Sequence, residues 1–190
     1  MIEYTEKIRT LSKALLTKGR VETVIGYKKG SIPGTNEPCM IKNPKDAEML
    51  IWDSNCRLNL AAYVTGLKGK TAVIAKGCDT RNLVTHITEN RVQRDQLVII
   101  GVPCTGMTDK VKISEIAGGE ILDVTEIDGM ITIISPEAKK TIDKREILQT
   151  NCRACTRRNP VIYDELVAET TDEQSVTEKY SEIEKIDAMT

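Results

Sequence analysis

The pattern of apolar and polar residues along the chain predicts a mixed α/β fold. Residues 6–18 carry apolar side chains at three- and four-residue intervals and end before a glycine, which predicts an N-terminal helix. Residues 21–27, 71–75 and 97–101 are short segments rich in β-branched residues and predict strands. A helix predicted over about 80–92 joins the last two strands, and such a unit is almost always a right-handed parallel crossover. We therefore expect a small, mostly parallel sheet with flanking helices.

The region between the first two strands is predicted to contain a long loop and two helices. Residues 30–44 hold three prolines and two glycines, which predicts a loop that includes Cys39. Pro44 then favours the start of a helix. Asn55 is a favourable N-cap, and the apolar residues that follow it predict a helix over 56–67.

The second half of the chain is predicted to carry an antiparallel hairpin as an appendage. An Asp-Gly dipeptide at 128–129 separates two β-branched segments, 121–127 and 130–134, and this dipeptide is a strong signal for a two-residue hairpin turn. A short helix is predicted over 112–117, before the hairpin. Residues 136–148 are also predicted to be helical, and they lead into a C-terminal Cys-x-x-Cys segment.

Charge divides the chain into two parts. From Val161 to Thr190 there are nine acidic residues and two lysines, whereas the preceding residues carry an excess of basic side chains. We therefore expect one α/β domain over 1–160 and an acidic C-terminal tail over 161–190. Four spaced apolar residues in the tail predict either a weak amphipathic helix that docks on a partner or a disordered segment: Val167, Val176, Ile183 and Ile186.

Composition excludes several classes of function. Aromatic residues make up 3% of the chain and there is no Phe, so a nucleic-acid reader that stacks bases on aromatic rings is not expected. No segment has the length and apolar character of a membrane span or a signal peptide, which predicts a cytoplasmic protein. In a reducing compartment, the six cysteines are expected to be metal ligands or catalytic groups rather than disulfides.

Four of the six cysteines are placed to form one site. Cys78 and Cys104 follow the two strands of the predicted crossover, so both thiols are expected at the same edge of the sheet, where open α/β sheets bind ligands. Cys152 and Cys155 have the spacing used in both zinc and iron–sulfur sites. Cys78 also precedes a helix, whose N-terminus is expected to lower the pKa of the thiol and favour the metal-binding thiolate. The four residues together predict a metal centre.

Other residues are further candidates for this site. Cys56 is a fifth candidate ligand because it begins a predicted helix, whereas Cys39 lies in the proline-rich loop. Lys76 and Arg81 flank Cys78 and are candidates to bind an anionic cofactor, since a helix N-terminus accepts phosphate readily. The chain holds one histidine, which gives little support to a histidine-based zinc site or general base, and no catalytic residue is predicted.

The type of metal centre stays open from the residues alone, because four cysteines suit both zinc and an iron–sulfur cluster. Structural zinc usually uses two close Cys-x-x-Cys pairs, whereas here two ligands come from separate sheet loops, which favours a cluster held in a cleft. Cys78 and Cys104 can also be interpreted as small buried hydrophobes, and Cys152 with Cys155 as a dithiol redox motif.

Three motifs resemble one protein family. They are Lys76-Gly-Cys-Asp-Thr-Arg81, Ile99-Ile-Gly-Val-Pro-Cys-Thr-Gly106 and Asn151-Cys-Arg-Ala-Cys-Thr-Arg-Arg-Asn-Pro160, with Arg94-Asp95 before the second strand. Over roughly residues 20–162 the chain is similar to the beta subunits of the coenzyme F-420 (deazaflavin) hydrogenase/dehydrogenase family. The resemblance is to its iron–sulfur branch, found in bacterial formate dehydrogenase and heterodisulfide-reductase-like complexes.

This resemblance implies an electron-transfer subunit with a [4Fe-4S] cluster on Cys78, Cys104, Cys152 and Cys155. FAD is the second cofactor that it allows, since some members bind a flavin and oxidise or reduce deazaflavin. The implied partners are iron–sulfur or flavin subunits of an anaerobic oxidoreductase complex. Catalytic members are longer, so we expect a non-catalytic component here. A flavin- or deazaflavin-dependent beta subunit and a zinc-stapled assembly module are the alternatives.

Overall fold

The two apolar segments predicted as strands, Thr71–Ala75 and Leu97–Gly101, lie at the centre of the main sheet. They run parallel and in register, and every residue in both is buried. Strands buried in this way are typical of parallel sheets covered on both faces. The predictions of the two strands and of the parallel crossover between them are confirmed.

The structure is a computed structural model that describes residues 2–173 together with Ser175 and Glu184. Its helices and strands in chain order are α1 (Ile2–Thr17), β1 (Thr23–Lys29), β2 (Asn36–Ile41), β3 (Thr71–Ala75), α2 (Gly77–Thr88), β4 (Leu97–Gly101), α3 (Lys110–Ala117), β5 (Asp123–Ile127), β6 (Met130–Ile134), β7 (Lys139–Asp143), α4 (Thr150–Arg153) and β8 (Glu165–Leu166). Short 3-10 helices cover Pro44–Met49, Leu60–Tyr63, Arg94–Gln96 and Lys144–Ile147.

The main sheet has the strand order β2-β1-β3-β4-β8. In it β2 runs antiparallel to β1, and the other neighbours are parallel. β5, β6 and β7 form a separate antiparallel sheet, whose inner face packs on α3 through a small apolar core. The fold is therefore the α/β class predicted, with a mostly parallel sheet and an antiparallel appendage.

The hairpin is confirmed at its predicted position. Residues 128–129 join β5 to β6, and Asp128 and Gly129 have φ angles of 49° and 78°. A type I′ turn requires positive φ at both central residues, which explains the Asp-Gly sequence.

Residues 56–67 do not form the predicted helix, and the reason is a buried ion pair on α2. In a helix the Leu60 N–H would donate to the Cys56 carbonyl. Here the Leu60 N–H donates to the Asp79 carboxylate at 3.1 Å, and the Cys56 carbonyl accepts from the Lys76 ammonium at 3.1 Å. Tertiary contacts thus replace the helical hydrogen bond, and the segment keeps a short 3-10 helix over Leu60–Tyr63.

Two other segments predicted as loop or helix are strands. Part of the proline-rich loop forms β2, in which Cys39 pairs with Gly26 of β1. Pro38 fits there because β2 is an edge strand. Residues 136–148 are not a helix: they contain β7, which completes the antiparallel sheet by pairing with β6, and then a 3-10 helix. Neither pairing follows from the local sequence.

The first residues of the acidic segment belong to the fold. β8 pairs with β4, and the Val167 side chain is buried. The other three apolar residues of the amphipathic pattern lie outside the described residues: Val176, Ile183 and Ile186. Within the described part of the chain, no helix has the length and apolar character needed to cross a membrane.

Candidate metal centre

Cys78 and Cys104 leave the main sheet at the same edge because β3 and β4 are parallel and in register. Ala75 pairs with Gly101 at the ends of the two strands, and the Val102 N–H donates to the Ala75 carbonyl at 2.9 Å. Cys78 then lies in the first turn of α2, and Cys104 lies in the loop after β4. The strand ends therefore place both residues where the sequence pattern predicts them.

α2 begins at Gly77 rather than near residue 80, because Asp79 caps its first turn. The Asp79 carboxylate accepts the Lys76 N–H at 2.7 Å. This is one half of the reciprocal capping arrangement at helix N-termini. The earlier start puts Cys78 inside the helix and fixes its backbone, instead of leaving it in a loop ahead of the helix.

Backbone contacts hold the Cys-x-x-Cys segment against the Cys104 loop. The Gln149 N–H, just before α4, donates to the Met107 carbonyl at 2.9 Å. The Cys104 N–H donates to the Arg158 carbonyl at 3.0 Å. The loop is thus attached on both sides of the Cys-x-x-Cys pair, and the pair cannot move away from it without breaking these bonds.

Position 77 requires a glycine because the C-terminal segment passes close to its backbone. A Cβ atom at this position would lie 2.8 Å from the Asn159 carbonyl oxygen and 2.9 Å from that of Arg157. Both are backbone atoms, which cannot rotate out of the way. The glycine therefore lets residues 157–159 cross directly over the start of α2, next to Cys78.

These contacts bring Cys78, Cys104, Cys152 and Cys155 around one cavity of about 90 Å³. One water molecule needs roughly 10–15 Å³ of such volume, so the cavity has room for a group of several atoms. The rest of its lining comes from three arginines, Lys76 and neighbouring loop residues: Arg57, Arg157, Arg158, Gly77, Gly106, Met107, Gln149 and Asn151.

A backbone N–H group points at one of the sulfur atoms: the Gly106 N–H donates to Cys104 Sγ at 3.3 Å. Hydrogen bonds to cysteine sulfur are one of the means by which proteins set the reduction potential of an iron–sulfur cluster. The loop that carries Cys104 therefore supplies both a thiol and a donor to its sulfur.

The pKa of Cys78 differs from the sequence expectation. The helix N-terminus was expected to lower it, but desolvation by the surrounding atoms and the nearby carboxylate of Asp79 together raise the pKa of Cys78 to about 12, although the residue remains exposed. Burial also raises the pKa values of Cys104 and Cys152. Neighbouring thiolates repel, so Cys104 and Cys152 raise the pKa of Cys78, and Cys152 raises that of Cys104. A bound metal cation supplies the positive charge that such a set of thiolates needs.

Lys76 is built into the wall of the site. Its ammonium lies 3.1 Å from Asp79 Oδ2 and donates to Tyr27 Oη and the carbonyls of Cys56 and Leu58. All four partners belong to this chain, so the side chain is fully engaged internally. The anionic-cofactor role of Lys76 stays a prediction.

Arg81 and Arg57 stabilise loops around the cavity. Arg81 donates to the Gly77 carbonyl at 2.7 Å and to the Asn159 carbonyl at 3.4 Å, which ties α2 to the C-terminal segment. Arg57 donates to the carbonyls of Gly34 and Thr108 at 2.9 and 2.7 Å. The anionic-cofactor role of Arg81 stays a prediction. Arg57 carried no signal in the sequence, because its partners are brought together by the fold.

Cys56 and Cys39 lie apart from the four clustered cysteines. Cys56 is fully buried, and its sulfur accepts from Asn36 Nδ2 at 3.4 Å. Burial raises the pKa of its thiol to about 12. Cys39 lies within β2. The structure therefore does not bring the fifth candidate, Cys56, to the cavity, because the segment that carries it packs into the core instead of forming a helix.

Across the described residues, no group of three or more His, Cys, Asp or Glu side chains has the spacing needed to hold one metal ion. The four cysteines that line the cavity are therefore not placed to bind a single metal ion in this arrangement.

No protein-family profile matches the sequence. The fold is similar to that of a chain in the solved F420-reducing [NiFe] hydrogenase complex from Methanosarcina barkeri, with a TM-score of 0.60 at 12% sequence identity. The similarity covers 82% of this chain and 62% of that chain, so this chain spans less than two thirds of that protein. At this identity the similarity shows only that the two chains share a fold. The other chain belongs to a multi-subunit hydrogenase complex.

Proposed function

We propose that this chain is an iron–sulfur electron-transfer subunit of a larger oxidoreductase complex, of the hydrogenase, formate dehydrogenase or heterodisulfide-reductase-like kind. Cys78, Cys104, Cys152 and Cys155 would hold a [4Fe-4S] cluster. The observation that carries the proposal is the gathering of these four thiols, distant in sequence, around one cavity at the carboxyl edge of the sheet.

The chemistry of the donor set supports a cluster. Four cysteine thiolates are the usual ligands of [4Fe-4S] centres. Each thiolate binds a different iron atom, so the four sulfurs of such a site surround a body several atoms wide. A cavity lined by four cysteines, with an N–H group directed at one sulfur, fits that requirement. The cluster would supply one-electron transfer, and the chain would supply its ligands.

The shared fold supports membership of an oxidoreductase complex. The similar chain belongs to a hydrogenase complex, and the sequence motifs resemble the beta subunits of the deazaflavin hydrogenase/dehydrogenase family. We infer that this chain is a member of that family and binds other iron–sulfur or flavin subunits.

A flavin- or deazaflavin-dependent beta subunit is the second candidate, because the similar chain comes from an F420-reducing complex. This candidate predicts a fluorescent cofactor that is released when the anaerobically purified protein is denatured. The electron-transfer proposal does not require one.

The test is anaerobic reconstitution of the apoprotein with iron and sulfide, followed by absorption and EPR spectroscopy of the dithionite-reduced sample. The wild type is expected to absorb at about 400 nm in its oxidised form and to give an EPR signal on reduction. Single Cys→Ser substitutions at positions 78, 104, 152 and 155 should each alter or abolish this signal. Cys39→Ser is the matched control, since Cys39 lies in β2 and does not line the cavity.

Two results would contradict the proposal. One is a colourless protein that takes up stoichiometric zinc, which would indicate an assembly module. The other is a wild-type signal from Cys104→Ser, which would remove the sheet-edge cysteine from the ligand set.

A further inference from the structure

Arg158 contacts the cysteine site through its backbone and lines the cavity itself. Its carbonyl accepts the Cys104 N–H at 3.0 Å, and the residue forms part of the wall around the four clustered cysteines. Its own N–H donates to the Glu173 carboxylate at 2.7 Å. Two backbone hydrogen bonds therefore fix the point from which the Arg158 side chain extends.

The guanidinium group of Arg158 lies against the loop that supplies a donor to Cys104. A Cβ atom at Gly106 would lie 3.3 Å from Arg158 Nη1, so the guanidinium closely approaches the backbone of this glycine. The Gly106 N–H in turn donates to Cys104 Sγ at 3.3 Å. Combined with covalent geometry, these two contacts put Arg158 Nη1 within about 10 Å of that sulfur.

The same charge reaches a second cysteine of the cavity. Burial raises the pKa of the Cys152 thiol, and the Arg158 guanidinium opposes that rise. Arginine stays protonated at every pH at which proteins fold, so this positive charge is permanent. The Arg158 side chain is thus a fixed cation beside two of the proposed cluster ligands.

We propose that Arg158 raises the reduction potential of the cluster by stabilising its reduced form. This inference rests on the proposed function, because it assigns a role toward the cluster. Reduction adds one electron, and hence one negative charge, to the cluster, and net charge is one of the factors that set its potential. A unit charge at about 10 Å, at an effective dielectric constant of about 20, changes a one-electron equilibrium roughly tenfold.

Nearby carboxylates do not remove this effect. Glu173 accepts the backbone N–H of Arg158, and Asp172 lines a neighbouring cleft together with Arg158. These acidic groups are present whether or not position 158 carries a charge. The difference between a charged and a neutral side chain at position 158 therefore depends on the distance of that side chain from the cluster, not on the net charge of the wall.

Substitutions at position 158 can remove the charge and keep the backbone contacts. Both hydrogen bonds, to Cys104 and to Glu173, use backbone atoms of Arg158. Arg158→Gln is neutral, and Arg158→Lys retains a positive charge. Arg91→Gln is the matched control, because it removes the same charge from an exposed pair with Glu89, beyond the other end of α2 from Cys78.

The experiment is an EPR-monitored redox titration of the reconstituted full chain. The Arg158→Gln cluster should be about tenfold harder to reduce than the wild-type cluster, a fall of about 59 mV in midpoint potential for a one-electron couple. Arg158→Lys should stay closer to the wild type than Arg158→Gln, and Arg91→Gln should match the wild type. Iron content and thermal unfolding should be the same in every variant, because the side chain acts through its charge.

Equal midpoint potentials for Arg158→Gln and Arg91→Gln, with a cluster present in both, would overturn the proposal and leave the iron–sulfur assignment intact. A lower iron content or melting temperature in Arg158→Gln would also overturn it, since the side chain would then have a structural role. The same holds if Arg158→Lys has the potential of Arg158→Gln. A wild type that assembles no cluster would instead contradict the proposed function, and the role of Arg158 with it.

Discussion

Lys76 Nζ lies 3.1 Å from Asp79 Oδ2, and the two side chains are 3% and 0% exposed. Lys76 donates to two carbonyls of the 56–58 segment, and Asp79 accepts the N–H of Leu60. This buried pair therefore holds a non-helical segment against the first turn of α2, which carries Cys78. The shape of the cysteine cavity depends on the pair even though neither residue is a proposed ligand.

Asp79→Asn is expected to lower the free energy of unfolding by about 3–5 kcal/mol, because it leaves the buried Lys76 ammonium without a counter-charge. Urea unfolding followed by circular dichroism measures the loss. The double variant Lys76→Met/Asp79→Leu should lose less than the single variant, since it removes both buried charges together.

A surface ion pair serves as the control for Asp79→Asn. Glu89→Gln breaks the exposed pair with Arg91 and should leave the unfolding midpoint unchanged within error. An Asp79→Asn protein with the wild-type midpoint would show that the buried pair does not organise this part of the fold.

Gly77→Ala is expected to push residues 157–159 away from α2, because the new methyl group would collide with two backbone carbonyls. Overpacking of this kind costs roughly 1–3 kcal/mol. We also expect a lower iron content after reconstitution, since the displaced segment adjoins the Cys-x-x-Cys pair. Thermal unfolding and iron analysis measure the two effects.

Gly119→Ala is the matched control for Gly77→Ala. No heavy atom lies within 4 Å of the Cβ position at Gly119, so its stability and iron content should equal those of the wild type. Equal iron content in both variants would show that the crossing of the two segments is not needed to form the site.

Glu126→Gln is expected to loosen the contact between the antiparallel sheet and the Cys104 loop. Lys144 Nζ lies 3.3 Å from Glu126 Oε1 and donates to Thr105 Oγ1 at 2.8 Å, next to Cys104. The variant keeps an acceptor for the Ser54 N–H but leaves Lys144 without its counter-charge, at a cost of about 3–5 kcal/mol.

Hydrogen exchange of the amides in residues 102–108 measures this loosening. Exchange there should become faster in Glu126→Gln than in the wild type, whereas exchange in α1, at a distance from the pair, should not change. Unchanged exchange in the loop would contradict the proposed contact between the antiparallel sheet and the Cys104 loop.

The sequence predicts those parts of the fold that depend on local pattern. The strands at 71–75 and 97–101 are continuous apolar runs, and the hairpin has an Asp-Gly turn whose positive φ angles follow from its chemistry. The positions of Cys78 and Cys104 at one sheet edge follow from the parallel crossover, because parallel strands place their carboxyl ends together.

The remaining features depend on contacts between distant segments. The apolar spacing in 56–67 favours a helix, but the carboxylate of Asp79 and the ammonium of Lys76 take the backbone groups that the helix would use. Tertiary contacts likewise keep Cys56 away from the cavity. They also bring the Gly34 carbonyl within hydrogen-bond distance of Arg57. No local signal identifies them.

The most direct test of the central claim is the iron, sulfide and zinc content of the full chain purified without exposure to oxygen. The account predicts about four iron and about four sulfide ions per chain, lost together when two of the cavity cysteines are replaced by serine. One zinc ion per chain, with iron and sulfide absent both before and after reconstitution, would contradict it.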